Sequence, residues 1–440
     1  MELKPSRYNF FIPHGSKYLI YNSFSNALAQ IDSEHYDQYQ SFLNSASSLD
    51  DNFKENLLYG GYIVDKEIDE LDMIKENRLK SKFIKDKLLM TVAPTLKCNF
   101  RCPYCYEQGV EQVGTMSEEV QSQLMDFIEK RISDIKNFDL TWIGGEPLLA
   151  IDVIDSLTEK ILSLCKKYDV NYKASMVSNG YLLNEDIIQR LKKNKVESIQ
   201  ITLDGPPEKH NQKRIMPNGE PTFDRILENI KKVSEEMKVA IRVNVDKHNL
   251  EQSNEVIDII LDEGLKDSVV VYFANVEDFS GHEDTETNCI STERFSKHNM
   301  ILRKKLLEAG LKTDLEYPHR KGVYCGAETI NNFSIDPLGY IYKCWSDIGF
   351  HHKAIAELDE DETFENKYKH KKNLYSYLLY DPTEDKKCSN CKILPLCMGG
   401  CPFLRISNKE HCTQLKYKLD ETIQEVVQYE LHKKINNGSV

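Results

Sequence analysis

No run of lysine and arginine in this sequence stands clear of neighbouring acids, and the formal net charge is -13 over 440 residues. Phosphate binding needs a basic face, so nucleic acid is excluded as a partner; an acidic surface suits a lysine-rich peptide instead. No apolar stretch approaches the length of a membrane span, and the N-terminus lacks the apolar core of a secretory signal. Internal repeats and low-complexity tracts are missing as well. Apolar residues make up 40% of the chain, enough for several cores, and the length is that of two or three domains. Twelve cysteines without an export signal imply a reducing cytoplasm.

What is present is a tight set of thiols, Cys98-x3-Cys102-x2-Cys105. A zinc knuckle takes two Cys-x2-Cys pairs or histidine partners, and no further Cys or His lies within the next dozen residues. A disulfide pair suits a small secreted domain, which this is not. Three thiolates on one loop hold three irons of a 4Fe-4S cube and leave the fourth iron open for chemistry. Downstream, Trp142-Ile143-Gly144-Gly145-Glu146-Pro147 follows a predicted strand at 139–143, Val177-Ser178-Asn179-Gly180 ends the next apolar run, and Ile201-Thr202-Leu203-Asp204-Gly205 ends the one after. Taken alone, the tetrapeptide Gly-Gly-Glu-Pro is a turn as readily as a site. Polar groups at strand ends are where an α/β barrel keeps its site.

The cysteine spacing with an aromatic at Tyr104, and the ordered segments after it, resemble the radical S-adenosylmethionine (SAM) superfamily. The resemblance implies a cluster on Cys98, Cys102 and Cys105 whose open iron chelates SAM and passes an electron to its sulfonium, giving a 5'-deoxyadenosyl radical that takes hydrogen from carbon. It further implies SAM contacts at Tyr104, Gly144, Gly145, Glu146, Ser178, Asn179, Asp204 and Arg214. Of these, Glu146 would accept from the SAM ammonium, Ser178, Asn179 and Asp204 would face its ribose or methionine, and Arg214 would meet its carboxylate.

Alternating strands and helices support an α/β fold. Apolar runs at 88–92, 140–143, 174–178, 198–203, 239–245 and 268–273 read as buried parallel strands, with amphipathic helices at 117–133, 151–168, 185–194, 223–237 and 251–263 between them. Six such units predict a partial (β/α)6 TIM barrel, open on one side and able to admit a peptide. Cys165 falls inside one of these helices and reads as packing.

Seven thiols crowd the last quarter: Cys325, Cys344 after Gly339, then Cys388-x2-Cys391-x5-Cys397-x3-Cys401 and Cys412. Few large apolar runs accompany them, so ordering this segment requires a metal. The pattern resembles the SPASM extension of radical SAM enzymes, which implies two auxiliary 4Fe-4S clusters: one on Cys388, Cys391, Cys397 and Cys412, the other on Cys325, Cys344 and Cys401. Family members place another cysteine near the position of Cys325, and this sequence has none there. Cys289 and His319 are distant alternatives. An open auxiliary iron would let a substrate cysteine dock and capture a carbon radical as a thioether.

Residues 1–85 read as short alternating segments at 8–12, 18–22 and 27–31, with a hairpin turn at 13–17, helices at 33–43, 52–58 and 67–80, and an apolar segment at 61–65. The unit resembles the winged-helix-like domain that takes a precursor peptide's leader as an added strand. The expected organisation is that recognition domain at 1–85, a radical SAM partial barrel at 86–275, a linker or bridging region at 276–324 and a SPASM domain with two auxiliary clusters at 325–440. The polar stretch 277–293 reads as a loop, and 345–387 as a bridge between cluster halves. The expected function is a cytoplasmic radical SAM peptide maturase forming a Cys sulfur-to-carbon thioether, with three 4Fe-4S clusters, SAM, and an electron donor such as flavodoxin or ferredoxin. Sulfatase-maturase-like formylglycine formation, carbon-carbon crosslinking, epimerisation and a metal-binding scaffold without turnover are the alternatives.

Overall fold

The computed structural model describes residues 2–44, 49–279, 288–312, 317–359 and 368–436, with side chains described to 429. Two compact units divide the chain: Met1–Phe83, Leu315–Cys325 and Tyr380–Val440 form one, Ile84–Asp314 and Gly326–Leu379 the other.

The first unit begins with β1 (Leu3–Pro5), β2 (Asn9–His14), β3 (Lys17–Asn22), β4 (Leu28–Ile31), α1 (Ser33–Leu43), α2 (Asp51–Tyr59), β5 (Ile63–Asp65) and α3 (Glu70–Lys82). Aspartates cap all three helices: Asp32 accepts from His35 N, Asp50 from Phe53 N and Asp69 from Leu71 N. The first hairpin is tighter than expected, because His14 pairs with Lys17 and the turn is only Gly15 and Ser16. β1, which sequence reading did not find, pairs antiparallel with β5. Ile20, Tyr39, Phe53, Leu57, Tyr62 and Ile63 fill the core beneath the β2–β3–β4 sheet.

The second unit runs β6 (Lys87–Val92), α4 (Glu118–Ile132), β7 (Asn137–Trp142), α5 (Ile151–Tyr168), β8 (Asn171–Ser178), α6 (Glu185–Lys193), β9 (Val196–Thr202), α7 (Pro207–Lys213), α8 (Phe223–Ser234), β10 (Lys238–Val245), α9 (Glu255–Asp262), β11 (Val269–Asn275), α10 (Thr292–Glu308), β12 (Asn332–Ile335), β13 (Tyr340–Tyr342), β14 (Ala356–Glu357) and α11 (Lys371–Leu378). Strands β6 to β11 are parallel and stand side by side in chain order, the arrangement of a partial (β/α)6 barrel. Along these strands buried residues alternate with less covered ones, so one face packs in the core while Asp139, Thr141, Lys173, Gln200 and Arg242 interrupt the apolar runs on the other. Cys165 lies buried in that core.

Three features extend the expectation. β12 continues the sheet parallel to β6, and β13 and β14 add antiparallel strands, giving nine in all. Helix α10, capped by Ser291, occupies part of the stretch expected as linker. Helix α9 starts at Glu255 rather than 251, leaving the residues after β10 free to form a polar turn. Residues 280–287 of the expected loop and 360–367 of the expected bridge lie outside the described residues.

The chain returns to the first unit through α12 (Lys386–Ser389), α13 (Leu394–Cys397), α14 (Pro402–Ile406) and α15 (Leu415–Asn436). Ile12, Leu19 and Tyr21 from the N-terminal strands share a core with Ile393, Leu396, Leu419 and Ile423. The cysteine-bearing turns thus borrow apolar partners from the first eighty residues. Among the described residues no helix is long and apolar enough to cross a membrane.

Candidate active site

The chain leaves β6 at Val92 and is tied at once to the turn after β7. Ile143 N donates to Val92 O (3.0 Å), Gly145 N to Thr95 O (3.3 Å) and Glu146 N to Lys97 O (2.9 Å). A Cβ on Gly144 would lie 2.3 Å from Thr95 O, and one on Gly145 would lie 2.4 Å from Lys97 O. Gly144 also has φ +128°. The glycine pair therefore lets two backbones touch, and what touches it is the root of the cysteine loop.

Beyond that root stand Cys98, Cys102 and Cys105. Phe100 N donates to Cys98 Sγ (3.3 Å), and Arg101 N donates to Ile215 O (2.8 Å), which ties the loop to the segment after α7. Desolvation pushes the Cys98 thiol up to about 12 and raises Cys102 and Cys105 as well. A bound cation inverts that preference, since a coordinating thiol is deprotonated outright. Among the described residues no group of three or more His, Cys, Asp or Glu side chains is gathered to hold a metal ion.

Glu146 is fully buried. One carboxylate oxygen accepts from Leu148 N (3.1 Å) and Ser178 Oγ (2.9 Å), the other from Asn179 N (2.8 Å). Burial raises its pKa against the pull of these donors. Roughly one of a carboxylate's four acceptor positions is left for a ligand. Ser178 and Asn179 likewise turn inward in part: Asn179 Nδ2 donates to Asn99 Oδ1 (2.7 Å), joining the end of β8 to the cysteine loop.

Tyr104 makes the third tie. Its hydroxyl donates to Asp204 Oδ2 and accepts from Arg214 Nη1 (2.9 Å). Asp204, fully buried, also accepts from Asn244 N (3.0 Å). Cysteine loop, β9, β10 and the segment after α7 thus meet at one phenol. Two buried donors beside this loop, Asn99 Nδ2 and Arg214 Nε, have no partner among the described residues. Unpaired buried donors cost about 1–3 kcal/mol each, so the site fits an anionic group such as the carboxylate of SAM.

Sequence reading missed two groups, one at the end of α7 and one just after β10. Lys213 and Asp246, both buried, form an ion pair at 2.6 Å, and the Lys213 ammonium stands 5.8 Å from the Tyr104 ring centroid. They line a cavity of about 290 Å³ with Pro103, Lys209, Gln212 and His248. The available signal was a polar residue directly after an apolar strand, Val245-Asp246.

The C-terminal thiols fall in both units: Cys325, Cys388, Cys391, Cys397, Cys401 and Cys412 in the first, Cys344 in the second. Cys388, Cys391 and Cys412 all act electrostatically on Cys397. Cys391 N donates to Cys388 O (2.9 Å) and Gly400 N to Cys397 O (2.9 Å), so Cys388, Cys391 and Cys397 sit on tight turns. Met398, Gly399 and Gly400 all have positive φ, and a Cβ on Gly400 would strike His411 O at 2.3 Å. Four thiols are the donor set of a 4Fe-4S cluster. Cys289 lies in the second unit and the exposed His319 in the first.

Residues 92–260 match the family model of the radical SAM superfamily. The chain is 29% identical over 179 residues to the cysteine-type anaerobic sulfatase-maturating enzyme of Clostridium novyi, a match covering 37% of this chain and 46% of that enzyme. It thus spans less than half the length of that relative. To a probable GTP 3',8-cyclase of Methanocaldococcus jannaschii it is 24% identical, over 60% of this chain and 87% of the cyclase. Among solved structures, native anSMEcpe with bound AdoMet and Kp18Cys peptide superposes with TM-score 0.60 at 20% identity, over 78% of this chain and 99% of that one. Streptococcus suis SuiB bound to precursor peptide SuiA superposes with TM-score 0.55 at 16% identity, over 94% and 98%. At such identities the likeness is one of fold. The part of this chain that matches the radical SAM superfamily, residues 92–260, carries the three thiols, the Gly-Gly-Glu-Pro turn and the strand-end polar groups, which follow the C-terminal ends of adjacent parallel strands.

Proposed function

We propose that this chain is a radical SAM enzyme that modifies a ribosomally made peptide, joining a cysteine sulfur to a carbon of another residue. The observation that carries the radical SAM part is the pair of orphaned buried donors, Asn99 Nδ2 and Arg214 Nε, beside the three-thiol loop. Cys98, Cys102 and Cys105 would hold a 4Fe-4S cluster, and Arg214 and Asn99 would donate to SAM. Bound together, cluster and SAM supply abstraction of a hydrogen atom from carbon. The chain's own part is positional: Glu146 fixes Ser178 and Asn179, Tyr104 fixes Asp204 and Arg214, and the glycine pair seats the loop.

A peptide substrate is supported by the likeness to anSMEcpe and SuiB, both solved with peptides bound. Leader binding at residues 1–85 is supported by β4, a terminal strand of its three-stranded sheet, to which an extended segment can add by backbone hydrogen bonds. Thioether formation is supported by the absence of a cysteine close to Cys325, which would leave an auxiliary iron able to take a substrate thiolate. Auxiliary clusters on the C-terminal cysteines and a flavodoxin or ferredoxin as electron donor complete the proposal. The likeness to a sulfatase-maturating enzyme favours formylglycine formation as the second reading.

Reconstituted protein, reductant and SAM are to be incubated with a cysteine-bearing peptide encoded beside this gene, and the product read by mass spectrometry. A thioether loses two hydrogens and keeps sulfur; formylglycine loses sulfur and gains oxygen. Failure to release 5'-deoxyadenosine under any of these conditions overturns the radical reading and leaves a metal-bound scaffold.

A further inference from the structure

Two cations reach the sulfurs of the C-terminal cysteine set. Lys416 Nζ lies 3.2 Å from Cys412 Sγ, and Arg405 Nη2 lies 3.6 Å from Cys388 Sγ. They come from different elements: Arg405 is in α14, and Lys416 is in the first turn of α15. Their surroundings differ too. Arg405 is largely buried and held by an ion pair to Asp385, whose carboxylate also caps α12 by accepting from Lys387 N (2.7 Å) and Cys388 N (3.3 Å). Lys416 is exposed, and its amine makes its hydrogen bond to the sulfur of Cys412.

A hydrogen bond or positive charge at a cluster sulfur stabilises the reduced state, which carries one more negative charge, and so raises the reduction potential. Arg405 contributes mainly its hydrogen bond, because Asp385 opposes its charge at close range. Lys416 contributes both, since Glu410, which feels its charge, is engaged by Lys387 at 3.0 Å. We propose that Arg405 and Lys416 are positioning residues that raise the reduction potential of one 4Fe-4S cluster, held by Cys388, Cys391, Cys397 and Cys412. The inference rests on the cluster assignment made under the proposed function.

The test is an EPR-monitored redox titration of the full chain, the relevant signal being the one that Cys388→Ala removes. Lys416→Met is expected to lower the midpoint of that signal alone by a tenfold loss in electron affinity, about 59 mV for a one-electron couple. Lys416→Glu is expected to lower it further, and Lys416→Arg to keep it near the parent value. Arg405→Leu should lower it as well, and the exposed Lys416 decides the matter if that variant fails to fold. A potential that stays within twofold in electron affinity for both Lys416→Met and Lys416→Glu, with the cluster present, overturns this inference alone. Loss of no EPR signal on Cys388→Ala overturns the cluster assignment and the inference with it.

Discussion

Single atoms decide how the cysteine loop is held. The Tyr104 hydroxyl is donor to one buried charge and acceptor from another, so Tyr104→Phe leaves Asp204 and Arg214 each short of a partner while removing almost no volume. A loss of about 1–3 kcal/mol in unfolding free energy is expected from urea denaturation, and an unchanged midpoint would rule out the tie. An aromatic was expected at this position to contact SAM; that its hydroxyl joins two of the other expected contacts was not legible, because Asp204 is a hundred residues away. Gly144 and Gly145 were expected as SAM contacts, and the structure also sets both against backbone. Their partner is the chain's own Thr95 and Lys97 carbonyls, which only the fold brings near.

At the level of elements, α7 and the end of β9 are bolted by His210. Its Nδ1 accepts from Asp204 N (3.3 Å), so the ring proton sits on Nε2 and faces Thr222 Oγ1 (3.2 Å), which donates to Arg214 O (2.7 Å). Burial, then the nearby Arg214 charge, hold its pKa well below the ordinary 6.5, so the folded protein keeps it neutral. The unfolded chain takes up the proton below that value. Stability from this residue is therefore complete above pH 6.5 and is lost as pH falls through it, with a limiting slope of about 1.4 kcal/mol per pH unit. Unfolding free energies measured between about pH 7 and pH 5 should fall less steeply for His210→Asn than for the parent, and parallel curves would refute the assignment. Most elements were legible because amphipathic period and caps are local: α1 and α5 match the expected spans residue for residue. β1 was not, since a three-residue strand carries no period and exists through its pairing with β5.

For the whole molecule, the proposed three clusters amount to about twelve irons per chain. Replacing Cys98, Cys102 and Cys105 together by alanine should remove about four of them and leave the C-terminal set loaded, because that set belongs largely to the other compact unit. Iron and acid-labile sulfide analysis reads this directly; a variant that keeps all its iron would place the metal elsewhere. The candidate ligands were legible in the sequence alone, since their spacing is covalent separation within a few residues: Cys98 to Cys105, Gly144 to Glu146, Cys388 to Cys397. The parallel strands were too, because a buried face repeats apolar residues at every second position of a short run. Only the tertiary structure decided which side chains meet. Tyr104 with Asp204, Lys213 with Asp246 and Ile12 with Leu419 depend on sheet register and on packing between distant segments, and neither period nor spacing records a contact between residues so far apart along the chain.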